Sequence, residues 1–135
     1  MKKDLEIPKV ENISVAVVKE MNDEKTAEVF NVYLLNMRDA GIENVLVSSK
    51  GYGTINGEKK TTSTLRRFYE KIESQSYQLI EPISKEVFPL SNEYFVTFYI
   101  DKVIYDKKII FVPEAIKEDH FTKVHLLDKQ GVLIK

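Results

Sequence analysis

The segment at 94–112 contains two runs in which apolar and polar side chains alternate, separated by a short polar stretch. Successive side chains of an extended strand point to opposite faces of a sheet, so this two-residue period is typical of a β-hairpin. In the first run, Tyr94, Val96 and Phe98 fall on one face. Similar runs recur along most of the chain, and the sequence therefore predicts an all-β fold.

The length of the chain indicates one domain. Its 135 residues lie within the usual size of a single domain. No low-complexity linker and no internal repeat divides them. We expect one domain over residues 1–135, with a core at 10–112 and a tail at 113–135.

Charge and cysteine content make several classes of function unfavourable. Twenty basic and 21 acidic residues give a net charge of −1, so the whole molecule has no field that would attract a polyanion. Cysteine is absent, which excludes disulfides and thiolate metal sites. No run approaches the roughly 18–20 apolar residues of a membrane-spanning helix. Asp4 and Glu6 interrupt the place where the apolar part of a signal peptide would lie, and we expect a cytoplasmic protein.

Extended segments also precede the last hairpin. Alternation predicts strands at 10–19, 28–37, 42–50 and 77–83. The turn-forming residues between the second and third of these segments indicate that the two are neighbouring strands. The segment at 65–72 is ambiguous, because its apolar spacing also fits a helix. The threonine-rich stretch before it favours a strand.

Glycine and proline mark the breaks between strands. Gly51, Gly53 and Gly57 indicate a hairpin tip, because the last of them belongs to an Asn-Gly pair that suits a tight turn. Pro82 and Pro89 exclude a central strand with a full hydrogen-bond ladder between them. We expect the chain to cross between sheets there, as in a Greek key, or to follow an edge.

The register of the last hairpin poses a difficulty. A two-residue turn at Asp101 and Lys102 would place Lys107 opposite Val96, on the face that points to the core. A lysine is unfavourable on such a face. We therefore expect a bulge or a different loop length.

The C-terminal part favours mixed local structure. Proline followed by acidic residues at 113–118 predicts one or two helical turns. The segments at 121–127 and 131–134 are candidates for closing strands. The whole pattern predicts an antiparallel two-sheet sandwich of about seven to nine strands, immunoglobulin-like in architecture, with a short C-terminal helical turn and tail.

The sequence contains no constellation typical of catalysis or of metal binding. Its two histidines, His120 and His125, are five residues apart and would point to opposite faces of a strand. A relay of Ser48, His125 and a carboxylate can be assembled on paper, but no Gly-x-Ser-x-Gly turn surrounds the serine. We predict no catalytic residue, no cofactor and no metal site, and therefore a protein that is not an enzyme.

Several predicted strands carry apolar residues on both faces, whereas a sheet with one face in water shows a cleaner alternation. The second-face residues define a candidate interaction surface: Tyr33, Leu35, Phe95 and Tyr99. Large apolar patches are rarely left exposed. Either the C-terminal segment from Pro113 onward covers these residues, or a second copy of the chain or another protein does.

A candidate basic patch lies around the predicted glycine hairpin. Its residues are Lys59, Lys60, Arg66 and Arg67, with aromatic residues interleaved. Such a patch could follow a phosphate backbone while the rings stack on bases. The alternative is a solvated hairpin whose lysines prevent edge-to-edge pairing of strands.

Particular motifs resemble known families. VYLLN (32–36), IENVLV (42–47) and YFVTFYI (94–100) resemble strands of bacterial immunoglobulin-like or fibronectin-type sandwich modules. VENISVAV (10–17), SSKGYG (48–53) and YDKK (105–108) resemble a family of short, uncharacterised bacterial proteins, some of which carry a label referring to the phenylalanyl-tRNA synthetase beta chain. That resemblance implies a translation-associated role. It transfers no catalytic residue, because no segment matches an aminoacylation motif.

The sequence thus favours a non-catalytic protein-interaction module whose partner is a second copy of the chain or another protein. The alternative is a translation-associated accessory protein that contacts RNA through the basic patch. Nucleic acid is the less favoured partner because the net charge is near zero. A membrane partner is not expected.

Overall fold

The structure, a computed structural model, describes residues 10–135. These residues contain ten β-strands. In chain order they are β1 (Ile13–Met21), β2 (Glu28–Asn36), β3 (Ile42–Ile55), β4 (Glu58–Thr61), β5 (Leu65–Ile72), β6 (Ser76–Ile83), β7 (Ser91–Ile100), β8 (Val103–Phe111), β9 (Thr122–Val124) and β10 (Lys129–Ile134). All paired strands run antiparallel. Two 3-10 turns, Lys85–Val87 and Glu118–His120, complete the elements of these residues.

The strands form two sheets that pack face to face. Sheet A has the order β6-β2-β1-β10-β9. Sheet B is built around β3, with β4 and β5 along one edge of β3 and with β7 and then β8 on the other side. The predicted all-β, antiparallel two-sheet sandwich is confirmed. It has ten strands rather than about seven to nine, because β4 and β9 are too short to show a clear alternation.

One hydrophobic core lies between the sheets. Both sheets contribute alternate residues to it: Ile13, Val15, Val17, Val32 and Leu34 from sheet A, and Val45, Val47, Val96, Phe98 and Ile109 from sheet B. Complete burial of a side chain such as Phe98 contributes about 1.5–3 kcal/mol. Because most inward positions are apolar, the outward positions between them determine what the surfaces of the sandwich can contact.

The strands β2 and β3 lie in different sheets, so the prediction that they are neighbours is wrong. The loop between them crosses from sheet A to sheet B. Asn36, which is fully buried at the end of β2, fixes the crossing. Its Nδ2 lies 3.0 Å from Ala40 O, 3.1 Å from Ile72 O and 3.0 Å from Glu73 O. The side-chain amide thereby replaces a β-ladder where the chain changes sheets.

The strand predicted at 65–72 is confirmed by β5, and the crossover flanked by prolines is confirmed as well. Pro82 lies on β6, which is an edge strand of sheet A, and Pro89 lies in the connection from sheet A to sheet B. The Asn-Gly turn is present too. Asn56 (φ 52°) and Gly57 (φ 80°) join β3 to β4. Gly51 and Gly53, in contrast, lie inside β3 and not at the tip.

The last hairpin contains no bulge, so the expected irregularity is absent and Lys107 does lie opposite Val96. Asp101 and Lys102 form the two-residue turn with φ values of 50° and 68°, as a tight hairpin turn requires. Lys107 is accommodated because its side chain reaches across the sandwich and Nζ donates a hydrogen bond of 2.7 Å to Ile13 O in sheet A.

The C-terminal segment differs from the prediction in two ways. The helical turn lies at Glu118–His120 and not at 113–118, because Glu114 adopts φ 73° and interrupts a helix there. The closing strands are present as β9 and β10. However, β10 pairs with β1 in the interior of sheet A, so the segment from residue 113 onward is not a peripheral tail.

Candidate functional site

Four rows of side chains cross the outer face of sheet B, and each row consists of residues paired across neighbouring strands. In order along the strands, the rows are Lys71-Glu43-Tyr99-Ile104, Phe68-Leu46-Thr97-Asp106, Arg66-Ser48-Phe95-Lys108 and Lys50-Glu93-Ile110. They occupy outward positions because the neighbouring positions, such as Val47, Val96 and Ile109, are buried in the core. We call this surface the open face.

Part of the open face is apolar and exposed. Phe68 is 59% exposed and lies directly across from Leu46, which is 41% exposed. Phe95, which is 37% exposed, lies one row further along on β7, next to Leu46, whereas Ile104, which is 56% exposed, lies apart from these three beside Tyr99 on β8. Exposed apolar residues that adjoin one another in this way are typical of a contact surface.

Charged residues of both signs adjoin this apolar group. Four are basic and three are acidic: Lys50, Arg66, Lys71 and Lys108, and Glu43, Glu93 and Asp106. The Lys50 Nζ lies 4.0 Å from Glu93 Oε2 and 5.8 Å from the centre of the Tyr52 ring. Tyr52 donates a 3.2 Å hydrogen bond to Glu93. Desolvation and this bond raise the pKa of Tyr52, so the phenol remains a donor.

On the outer face of sheet A, Tyr77 and Leu79 of the edge strand β6 are 44% and 47% exposed, whereas the chain's own C-terminal segment covers the part around Leu35. Leu35 is fully buried there, and it packs with Ala16 and Val18 against Val124 and Leu127. The expectation that the segment from Pro113 onward covers second-face residues is thus confirmed for Leu35. Leu35 is consequently not part of the exposed surface.

Tyr33 is half-buried on the same outer face. Its hydroxyl donates a 2.5 Å hydrogen bond to Glu20 Oε2, which also accepts a bond of 2.7 Å from Asn31 Nδ2. Burial, followed by the bond to Glu20, raises the pKa of Tyr33. The Tyr33 hydroxyl therefore already has a hydrogen-bond acceptor within the chain.

The structure therefore separates the four residues of the predicted interaction surface. Tyr33 and Leu35 lie on sheet A, whereas Phe95 and Tyr99 lie on the open face of sheet B. The predicted interaction surface did not include Leu46, Phe68 and Ile104, although Phe68 is one of the aromatic residues interleaved with the predicted basic patch. For Phe68 the signal was obscured because the apolar spacing of its segment also fits a helix.

The predicted basic patch is also divided. Arg66 lies on the open face, and Arg67 points the other way, where its Nε donates a 3.1 Å hydrogen bond to Ile80 O of sheet A. On β4, Lys60 Nζ lies 3.3 Å from Glu58 Oε2. Lys59 is the adjacent exposed residue of β4. The four cations thus do not all face one surface.

Arg67 and Tyr69 have a structural function that the sequence did not reveal. Tyr69 donates a 2.6 Å hydrogen bond to Leu79 O, on the strand to which Arg67 also binds. Both acceptors belong to β6, the edge strand of sheet A. These side chains of β5 therefore fasten one sheet to the other and occupy backbone acceptors of an edge strand.

A polar cleft of about 220 Å³ lies between the sheets. Its lining includes Ser49, Glu81, Asn92 and Tyr94. The Tyr94 hydroxyl donates a 2.8 Å hydrogen bond to Glu81 Oε2, and burial raises the pKa of this tyrosine strongly. Asn92 Nδ2 donates to two backbone carbonyls at one end of the cleft. These bonds hold the polar groups in place within the sandwich.

The two histidines line a separate cleft of about 530 Å³ beside β9 and β10. Both His120 and His125 are exposed. Among residues 10–135, no group of three or more histidine, cysteine, aspartate or glutamate side chains is arranged to hold a metal ion.

No protein-family model matches the chain, and no curated protein matches its sequence. The chain folds as an antiparallel all-β sandwich, and its open face combines exposed apolar residues with charges of both signs. The resemblances to immunoglobulin-like modules and to short bacterial proteins stay predictions from the sequence. Within the described part of the chain, no helix combines the length and the apolar character needed to cross a membrane.

Proposed function

We propose that this chain is a non-catalytic protein-interaction module of the cytoplasm that docks through the open face. The observation that carries the proposal is the adjoining, exposed group of Leu46, Phe68 and Phe95, which extends from the edge strand β5 across β3 to β7. On the equivalent face of sheet A the chain itself buries Leu35, and the exposed apolar residues Tyr77 and Leu79 lie on the edge strand β6. Burial of the exposed apolar area by a partner would supply the main driving force for docking.

The charges on the open face favour a protein partner over a nucleic acid. Glu43, Glu93 and Asp106 are interspersed with the basic residues of the same surface. A polyanion would be repelled by these carboxylates, whereas a protein surface can carry the complementary pattern. An RNA-contacting accessory protein, the alternative, is supported by Arg66, which is next to Phe68 on β5 and lies in the same row as Phe95.

Capture from a native lysate with matched variants tests the proposal. The wild-type chain and Phe68→Glu serve as baits, and Met21→Glu, which changes an exposed apolar residue of sheet A, is the control. We expect at least one protein, the chain itself included, to be retained by the wild type and Met21→Glu but lost with Phe68→Glu. Captured proteins that do not respond to Phe68→Glu would contradict docking through the open face.

The alternative function gives a different result in the same experiment. RNA retained by the wild type would be released as the salt concentration rises from about 50 to 200 mM, because phosphate contacts depend steeply on salt. It would also be lost with Arg66→Glu. That outcome would show that the partner of the chain is RNA and not a protein.

A further inference from the structure

We infer that the occupant of the open face is a second copy of this chain, related by a two-fold axis that lies in the interface and runs across the strands. The inference rests on the proposed docking function and names its partner. The axis passes between the row that contains Asp106 and the row that contains Lys108. Each strand then packs against its own copy in the opposite direction, so positions equally far from the axis on one strand meet.

The charges of the open face are self-complementary about this axis. Asp106 and Lys108 lie on β8, one row on either side of the axis, so Asp106 of each copy faces Lys108 of the other. Glu43 and Lys50 lie on β3 in the two outer rows, and they meet in the same way. These four side chains belong to exposed residues. Every such pair occurs twice in the dimer, because the axis repeats it.

The apolar and aromatic residues match as well. Ile104 and Ile110 occupy the outer rows of β8, so they contact each other across the interface. Phe68 and Arg66 occupy the inner rows of β5, which places a guanidinium over an aromatic ring. Phe68, the most exposed of the large apolar side chains at 59%, is thereby removed from water.

The other in-plane two-fold axis, which runs along the strands between β3 and β7, gives a poorer match. It would place Arg66 of one copy against Lys108 of the other, because both residues lie in the same row at opposite edges of the face. It would also set Phe68 against Asp106. Juxtaposed like charges are costly at an interface. The axis across the strands is therefore the one that the charge pattern supports.

Sedimentation of charge-reversal variants tests this geometry. We expect the wild-type chain to show a concentration-dependent monomer–dimer equilibrium. Asp106→Lys and Lys108→Asp should each weaken the dimer by about tenfold or more, since each creates two like-charge contacts. An equimolar mixture of the two variants should recover the wild-type affinity, because positions 106 and 108 are then both lysine in one copy and both aspartate in the other. The double variant Asp106→Lys/Lys108→Asp should dimerise with the wild-type affinity without being mixed with another variant.

Asp23→Lys, an exposed charge reversal in the turn between β1 and β2, is the matched control and should leave the equilibrium unchanged. Circular dichroism on each variant verifies that the sandwich is intact. A wild-type chain that stays monomeric at high concentration overturns the inference, and so does a dimer that the mixture does not restore. If the chain is a monomer but another protein is captured in a Phe68-dependent manner, docking through the open face stands and only the second copy is refuted.

Discussion

At the scale of single residues, one buried polar side chain stabilises the place where the chain passes from sheet A to sheet B. Asn36 joins the end of β2 to the turn between β5 and β6 through its amide nitrogen. Its Oδ1 accepts a 3.0 Å hydrogen bond from the Arg38 backbone N–H. An aliphatic residue of similar size could fill the space, but it could not satisfy these backbone groups.

Replacement of this residue by Asn36→Ala should therefore lower the free energy of unfolding by about 2–3 kcal/mol, because buried carbonyl groups lose their donor and a small cavity forms. Urea unfolding monitored by circular dichroism measures the change. Asn22→Ala is the control: Asn22 also bonds its own turn, but those bonds are exposed and water can replace them. Its cost should stay below about 1 kcal/mol. Equal losses in the two variants would show that the crossing does not depend on Asn36.

At the scale of secondary-structure elements, the pairing of β10 with β1 depends on one glycine. A Cβ atom at Gly131 would overlap with the Val17 carbonyl oxygen and would lie 2.9 Å from Val18 Cα. Both contacts are with the backbone of β1 or atoms fixed to it, and a backbone cannot yield as a flexible side chain can. The close approach of the two strands thus requires a residue without a side chain.

We accordingly expect Gly131→Ala to destabilise the protein by about 1–3 kcal/mol through overpacking. Hydrogen exchange should locate the effect, with faster exchange in β10 and in the facing part of β1. Gly41→Ala provides a comparison, because the nearest atom there is the mobile Lys71 Cε at 3.0 Å. A Gly131→Ala variant with wild-type exchange in β10 would show that the strands can move apart at little cost.

For the whole molecule, the sequence predicted the faces of strands better than their neighbours. The alternation at 28–37 located β2 because inward positions must be apolar whichever strand lies alongside. The same alternation does not say which strand pairs with which, and β2 and β3 were therefore placed in one sheet. Phe68 was left out of the predicted interaction surface because its segment also has helical spacing, whereas Phe95 was included because the alternation around it is regular.

The sequence argued against the register that places Lys107 opposite Val96, but the structure has this register. A lysine on the core face is unfavourable only if its ammonium group stays between the sheets, whereas this one spans the sandwich to Ile13 O. An inward-pointing charge on an edge strand also discourages pairing with another chain. Since β8 is an edge strand of sheet B, Lys107 protects the edge while the open face stays available for docking.

The same residue should give the stability of the whole molecule a measurable pH dependence. Desolvation lowers the pKa of Lys107 below its ordinary value of 10.5, and the carboxylate of Glu11 opposes this effect. As the pH rises through the lowered pKa, the folded chain releases this proton before the unfolded chain does. The unfolded state then binds more protons, so the contribution of Lys107 to stability increases with pH and levels off above about 10.5.

In urea unfolding between neutral pH and about pH 10.5, the stability of the wild type relative to Lys107→Met should therefore rise with pH. Lys59→Met, a change at an exposed lysine of β4, is the control for the loss of a lysine side chain. A falling difference for Lys107→Met would mean that the charged form is favoured in the folded state. The bond to Ile13 O would then outweigh the desolvation of the ammonium group, and the sign of the lysine's contribution to the sandwich would be reversed.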